Sequence, residues 1–220
     1  MIGIVEATSE LMSDAASFGE YVRLALSADM SFKIDAAILS GTGAGQPIGI
    51  LGSGALITQP KDTGQASGSI LATNIDGMWS NLTAPSRRRA IWLAHEKVEG
   101  ALAEAVMTGG QLSAALANMY TPQNGPSGNP WPLVKGRPLI TIEQAKAIGT
   151  PGDIVLFDPT AYAIAAMDPE MAISADVDFD RDQIVLRLTW RMDGAPLFAS
   201  AVASYSDGAL RSPFVALAQR

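Results

Sequence analysis

Ser17-Phe-Gly-Glu-Tyr-Val-Arg-Leu-Ala-Leu-Ser-Ala-Asp-Met-Ser-Phe-Lys-Ile-Asp-Ala-Ala-Ile-Leu-Ser-Gly-Thr-Gly-Ala-Gly-Gln-Pro-Ile-Gly-Ile-Leu51 is the stretch whose reading decides the fold. Ser17 and Glu20 have the spacing of a capping box, in which the serine takes an orphan backbone N–H and the glutamate reaches back to the cap. Phe18, Val22, Leu26, Met30, Ile34 and Ile38 then recur every fourth residue. That period predicts a helix with one apolar stripe, widened by Ala25, Ala36 and Ala37. Arg23, Asp29, Lys33 and Asp35 stay off the row. The helix should stop at Gly41, giving a rod of about 23 residues and roughly 35 Å, longer than most helices in compact domains. Gly41 to Leu51 reads as a glycine-rich turn leading into an extended segment.

Gly41, Gly43 and Gly45 do not form a phosphate cradle. Such loops follow a strand and open a helix, whereas here the helix comes first and no Lys-Ser/Thr pair follows the glycines.

Upstream, Met1 to Thr8 reads as a strand that starts without turn residues, as a cut end would. Downstream, Gly52 to Gly68 is rich in Gly, Ser, Thr and Gln, the composition of an exposed loop or hairpin. A short helix is predicted from Thr73, Asn74 or Ile75 to Leu82, a buried strand over Ala90 to Ala94, and a second helix over His95 to Met107 through Val98, Leu102 and Val106. Tyr120 to Pro138 holds prolines 122, 126, 130, 132 and 138, so a long loop with little regular hydrogen bonding is expected. Strand signals flank a turn at Gly149 to Gly152, namely Arg137 to Ile142 and Asp153 to Asp158. Residues Asp178 to Met192 alternate apolar and polar as a half-buried strand does, with Asp193-Gly194 as its turn. Pro213 to Ala218 is a last strand. Helices and strands mix without βαβ alternation, so the class is α+β.

With 48% hydrophobic and 17% charged residues, the chain is too apolar to be disordered. Its net charge of −7 argues against a dedicated nucleic-acid binder, which needs clustered cations. The one basic run, Arg87 to Arg89, reads as a solvated loop or strand edge, with packaged genome or a neighbouring subunit as the alternative contacts. The absence of cysteine excludes disulfides, thiolate metal sites and a cysteine nucleophile. There is no run of about 18 apolar residues and no signal-peptide pattern at Met1 to Glu10, so a soluble protein made inside the cell is expected.

The single histidine, His95, would have to serve any Ser/His/Asp triad, and two imidazoles cannot meet at a metal. Asp176, Asp178, Asp180 and Asp182 alternate, but Arg181 and Arg187 occupy the places where a calcium loop needs glycine and glutamate. A solvated acidic strand edge, or a partner for an adjacent subunit, is the expectation there. Glu96 with Glu99, and Asp168 with Glu170, lack a companion base. No catalytic, cofactor-binding or metal-ligating residue is therefore expected, and no enzyme activity.

Thr8-Ser-Glu-Leu-Met-Ser-Asp, the long helix, and Asp35-Ala-Ala-Ile-Leu-Ser-Gly-Thr-Gly-Ala-Gly-Gln-Pro-Ile-Gly-Ile-Leu together resemble the tailed-phage major capsid family of the Hong Kong 97 type. Gly136-Arg-Pro-Leu-Ile, Gly149-Thr-Pro-Gly-Asp-Ile-Val-Leu, Asp158-Pro159, Asp182-Gln183, Arg191-Met-Asp-Gly and Ser212-Pro-Phe-Val-Ala-Leu extend the resemblance along the chain. It implies a Hong Kong 97-type fold with a spine helix and two domains. The peripheral domain would take residues 1–48 and 164–194, and the axial domain residues 49–163 and 195–220. By the same resemblance the chain is the C-terminal portion, without the family's N-terminal arm and extended loop, and would assemble poorly by itself.

Some members crosslink a lysine of that loop to an asparagine. Gln183 is the nearest match here, and the sequence leaves crosslinking open. The implied partners are copies of the chain in hexamers and pentamers, scaffolding, protease and portal proteins, and packaged DNA through non-specific contacts, with no membrane. The implied location is the virion capsid, after synthesis in the host bacterial cytoplasm. Two other readings are an encapsulin-like compartment, which shares the fold, and a small-molecule enzyme using Gly41 to Gly45 and His95.

Overall fold

The computed structural model describes residues 1–14, 17–108, 115, 117–123, 130–178 and 181–220. In chain order the elements are β1 (Ile2–Thr8), α1 (Ser9–Asp14), α2 (Phe18–Ser40), β2 (Ile57–Gln59), α3 (Ala72–Asn81), β3 (Ile91–Ala94), α4 (Glu96–Thr108), β4 (Tyr120–Thr121), β5 (Leu133–Val134), β6 (Arg137–Thr141) and β7 (Ile154–Phe157). There follow β8 (Tyr162–Ala166), β9 (Glu170–Asp178), β10 (Gln183–Thr189), β11 (Met192–Pro196), β12 (Val202–Ala203), β13 (Leu210–Arg211) and β14 (Phe214–Leu217). Helices and strands are mixed as the sequence implied, and the large sheet is itself mixed, with β3 parallel to β6 and β2 parallel to β14.

The centre is a seven-stranded sheet in the order β2-β14-β7-β3-β6-β5-β4. Strands β14, β7 and β3 are apolar at every position because both faces are covered. Val215, Leu156, Trp92 and Leu139 lie in register across β14, β7, β3 and β6. They share one face with Ile75 and Met78 of α3 and Val98 and Leu102 of α4. Their neighbours Phe214, Ala216, Val155 and Phe157 point the other way, toward Leu39 of α2, Ile50 and Tyr162. Trp92 is wholly buried, and its indole Nε1 donates to the Val134 carbonyl at 3.0 Å. A three-stranded antiparallel sheet, β1-β10-β9, forms a second lobe. Ala7 and Leu186 from this sheet pack against Val22, with Val5, Phe18 and Leu26 beside them. Helix α2 therefore spans both lobes, with its N-terminal half on the small sheet and Leu39 on the large one.

A glycine joint fixes the end of the rod. The Gly41 N–H donates to the Ala37 carbonyl at 2.7 Å, and the Gly49 N–H to the Gly41 carbonyl at 2.9 Å. A Cβ on Gly41 would collide with the Pro47 and Ala37 carbonyls, and one on Gly49 with the Gly41 nitrogen and the Ser40 backbone. The Ile48 N–H donates to Gly194 O at 2.9 Å while the Tyr162 hydroxyl donates to Ile48 O at 2.9 Å. The turn at the end of α2 is thereby tied to the β8–β11 pair.

Several expectations change. Helix α2 starts at Phe18, but the Ser17 side chain makes no cap bond and its backbone is itself helical (φ −86°, ψ −8°). Glu20 pairs forward with Arg23 at 2.5 Å instead of reaching back, because an exposed guanidinium one turn on competes for the carboxylate. Gly52 to Gly68 contains β2, which joins the large sheet parallel to β14 and forms no hairpin.

Tyr120 to Pro138 is not wholly irregular, since β4, β5 and the start of β6 form an antiparallel ladder at its two ends. Pro126 lies outside the described residues. Asp193-Gly194 is no turn but the middle of β11, paired with Ala165 and Ile164. Glycine is needed there because a Cβ on Gly194 would stand 2.8 Å from the Tyr162 ring.

Candidate interaction surfaces

The residues considered for chemistry do not converge. His95 sits between β3 and α4, where its Nδ1 accepts the Lys97 N–H at 3.2 Å and its carbonyl accepts the Val98 N–H at 2.8 Å. It thus caps the helix. Gly43 and Gly45 have positive φ values (79° and 71°) and lie beyond the C-terminus of α2, where backbone carbonyls converge rather than N–H groups. Glu96 and Glu99 are on the first turn of α4, and Asp168 and Glu170 are exposed at the β8–β9 connection.

Asp176 and Asp178 belong to β9, while Asp182 lies past the turn at φ +52°. The acids therefore do not share one strand face, because the chain reverses between them and Asp178 pairs with Gln183. Asp182 accepts the Ser9 hydroxyl at 2.5 Å, and Asp180 lies outside the described residues. Among the described residues no group of three metal-ligating side chains forms, and no helix is long and apolar enough to cross a membrane.

Two buried carboxylates carry structural weight that the sequence reading passed over. Asp153 and Arg220 have no exposed side-chain surface and form a bidentate ion pair at 3.1 and 2.7 Å. Arg220 Nε also donates to the Ser69 carbonyl at 2.5 Å, and Asp153 accepts the Gly149 N–H at 2.8 Å. Asp158 accepts from the Thr160 N–H and hydroxyl at 3.0 and 2.8 Å and from Arg89 at 3.1 Å. Burial pushes its carboxyl up, but bonds from Thr160, Ser86 and Arg89 together outweigh this and hold it below its ordinary range. The sequence signals were an acid at each end of an apolar strand, and Asp-Pro-Thr as a helix-start signature.

The arginine run is a 3-10 turn, Ser86–Arg88, rather than a strand edge. Arg89 is held by Asp158, and the Arg87 guanidinium lies 5.8 Å from the Trp79 ring centroid. Arg88 is exposed, and with Ala84, Pro85 and Arg89 it lines an open hollow of about 500 Å³.

The broad surfaces are apolar. Helix α2 buries Val22, Met30 and Ile34 on one side, and Leu39, on the side of Tyr21, against the large sheet. On the opposite side, at 100° per residue, it exposes Tyr21 (67%), Leu24 (60%) and Phe32 (44%). A helix that only covered a core would carry polar residues there. Ile173 and Val177 of β9 and Ile2 and Ile4 of β1 are also exposed. A second concentration lies between Leu197 and Leu210, around the β12–β13 hairpin. Isolated exposed apolar residues need no explanation, but stripes of them mark contact surfaces.

A rod holding two small lobes, apolar on its free side, is the build of a subunit designed to touch other subunits. The sequence profile of the phage capsid family matches residues 1–207, and the chain belongs to that family, whose members are capsid shell proteins. Its fold is that of Hong Kong 97-type capsid proteins. A structure titled "Capsid of empty GTA particle computed with C5 symmetry" matches 99% of this chain and 72% of its own length, with a TM-score of 0.72 at 17% identity. A structure from Gordonia phage Cozz matches over 99% and 69%, with a TM-score of 0.66 at 12% identity. The holo-SrpI encapsulin complex from Synechococcus elongatus PCC 7942 matches over 99% and 72%, with a TM-score of 0.58 at 12% identity. No curated protein matches.

Proposed function

We propose that the chain is a major capsid subunit of a tailed bacteriophage or prophage, a non-enzymatic building block that associates with copies of itself. It would form pentamers and hexamers of an icosahedral shell around double-stranded DNA. The observation that carries this reading is the double-sided helix α2, whose Tyr21, Leu24 and Phe32 face solvent although residues opposite them are already packed. Such a surface gains its burial only when something outside these residues covers it, and closed symmetric assemblies repeat one such contact many times.

In this reading residues 1–48 and 164–194 make the peripheral domain, and residues 49–163 and 195–220 the axial domain. No residue is assigned a catalytic, cofactor or metal role. Scaffolding, protease and portal proteins are its assembly partners, DNA is met non-specifically, and the site of synthesis is the host cytoplasm. An encapsulin-like compartment is the second reading, favoured by the structural likeness to an encapsulin.

Electron microscopy of particles formed by the protein, with assay of their contents, tests both. Closed shells containing double-stranded DNA support the first reading, and shells containing a protein cargo support the second. A monomer at high concentration refutes both.

A further inference from the structure

Helix α2 meets the large sheet at its C-terminal end, where Leu39 packs among Ile50, Phe157 and their neighbours. Asp35 stands one turn before Leu39. Residues three and four apart on a helix lie side by side, so Asp35, Ile38 and Leu39 share one face. That face looks onto apolar side chains of the sheet, where an aliphatic residue is the ordinary choice. A carboxylate occupies the place instead.

Beside Asp35 the helix and the sheet do not close on one another. A cleft of about 230 Å³ remains between Ile38 and Leu39 of the helix, Ile50 of the turn that follows it, and Leu93, Ile142 and Phe157 on the sheet side. Asp35 is the one charged group among the described residues that line it. Ile38, Leu93 and Ile142 are only half-buried, so the cleft is open to water and its walls are incompletely packed.

No cation of the described residues answers this carboxylate. Lys33 pairs with Asp29 at 2.7 Å, and Arg23 with Glu20 at 2.5 Å. The Asp35 carboxyl has no hydrogen bond or ion pair among the described residues, and desolvation alone pushes it up.

A carboxylate at the mouth of an apolar cleft selects a ligand by charge and by length. A cation satisfies the carboxylate, while an anion is repelled and a neutral chain leaves it desolvated without a partner. The other lining side chains are hydrocarbon, so the ligand carries one polar end. At roughly 30 Å³ for each non-hydrogen atom, the volume takes about seven or eight of them.

We propose that this cleft binds a free primary alkylammonium ion of about six carbons, with its ammonium on the Asp35 carboxylate and its chain between Ile38, Leu93 and Ile142. The site is complete within one chain, so it is independent of the shell-subunit reading.

Hexylammonium chloride is the probe, titrated into the protein while the isoleucine and leucine methyl groups are followed by NMR, with hexanol and hexanoate as its uncharged and anionic counterparts. Hexylammonium should shift the methyl groups of Ile38, Ile50, Leu93 and Ile142 along a saturable curve and bind about tenfold tighter than hexanol, while hexanoate gives no shift. Asp35→Asn keeps the size and place of the side chain and should remove that preference with hexanol binding unchanged. Leu93→Phe, which fills the cleft from the sheet side, should abolish binding of both. Shifts that map elsewhere overturn the proposal, as do equal affinities for hexylammonium and hexanol or an Asp35→Asn protein that keeps the preference. The same methyl groups responding to protein concentration without amine would give the cleft to a neighbouring molecule and overturn it too.

Discussion

Replacing Arg220 by alanine is expected to be among the most damaging single changes outside the apolar core. The guanidinium makes two bonds to Asp153 and one to the Ser69 carbonyl, and neither charged side chain reaches solvent. With arginine gone, Asp153 keeps only the Gly149 N–H for its carboxylate. Breaking one partner of a buried ion pair costs about 3–5 kcal/mol, because the remaining charge stays desolvated and unpaired.

For a chain of this length each kcal/mol shifts Tm by roughly 2–4 °C, so a fall of about 6–20 °C is expected. Lysine at the same position offers a point charge instead of a fork and should recover part of the loss. The pair Asp153→Asn with Arg220→Met removes both charges and should be less harmful than either single change. Urea and thermal unfolding followed by circular dichroism measure each variant against the unsubstituted protein. A loss below about 1 kcal/mol for Arg220→Ala would refute the claim that a desolvated charge is left behind, since that is the range of an exposed pair.

Gly49→Ala should prevent normal folding or lower Tm steeply, since its Cβ meets backbone at Gly41 and Ser40 that cannot swing aside; an unchanged melting curve would contradict this. Asp35 has its carboxyl pushed up by burial. Its stabilising contribution is therefore present at acid pH and lost as pH rises through the raised value, so Asp35→Asn should raise Tm slightly at pH 7 and make no difference at pH 3. Asp158 behaves oppositely. Its lowered carboxyl contributes stability above the ordinary aspartate range that is lost as pH falls below it, and Asp158→Asn should flatten that acid limb of a Tm–pH curve. Replacing Tyr21, Leu24 and Phe32 together by serine should leave the unfolding curve within about 1 kcal/mol while abolishing particle formation in light scattering.

The rod was legible because Phe18 to Ile38 repeat at four residues and Gly41 ends them, and the strands at Ala90 to Ala94, Asp153 to Asp158 and Pro213 to Ala218 were legible as continuous apolar runs. What the periodicity did not carry was pairing. Ile57 to Gln59 lacks any strand pattern, and it is extended because β14 offers it an open edge. Asp193-Gly194 has the letters of a turn, but Gly194 is selected by the Tyr162 ring packed over it, a contact between residues 32 positions apart in sequence. Local propensity is a weak prior that tertiary contact overrides. The Ser17 box failed for a nearer reason, since Arg23 was read only as a residue off the apolar row and not as a competitor for Glu20.

The same distinction separates the buried from the exposed face of α2. Counting every fourth residue finds Phe18 to Ile38, and Tyr21, Leu24 and Phe32 then look like stray apolar residues between Arg23, Asp29 and Lys33. Only when Val22, Met30 and Ile34 are seen to be buried already do the other three become a surface with no intrachain reason to be apolar. A sequence pattern records that a residue avoids water, not which molecule shields it. For a subunit of a shell that second fact is the function, and residues such as Tyr21 and Tyr205, which these 220 residues leave exposed, carry it.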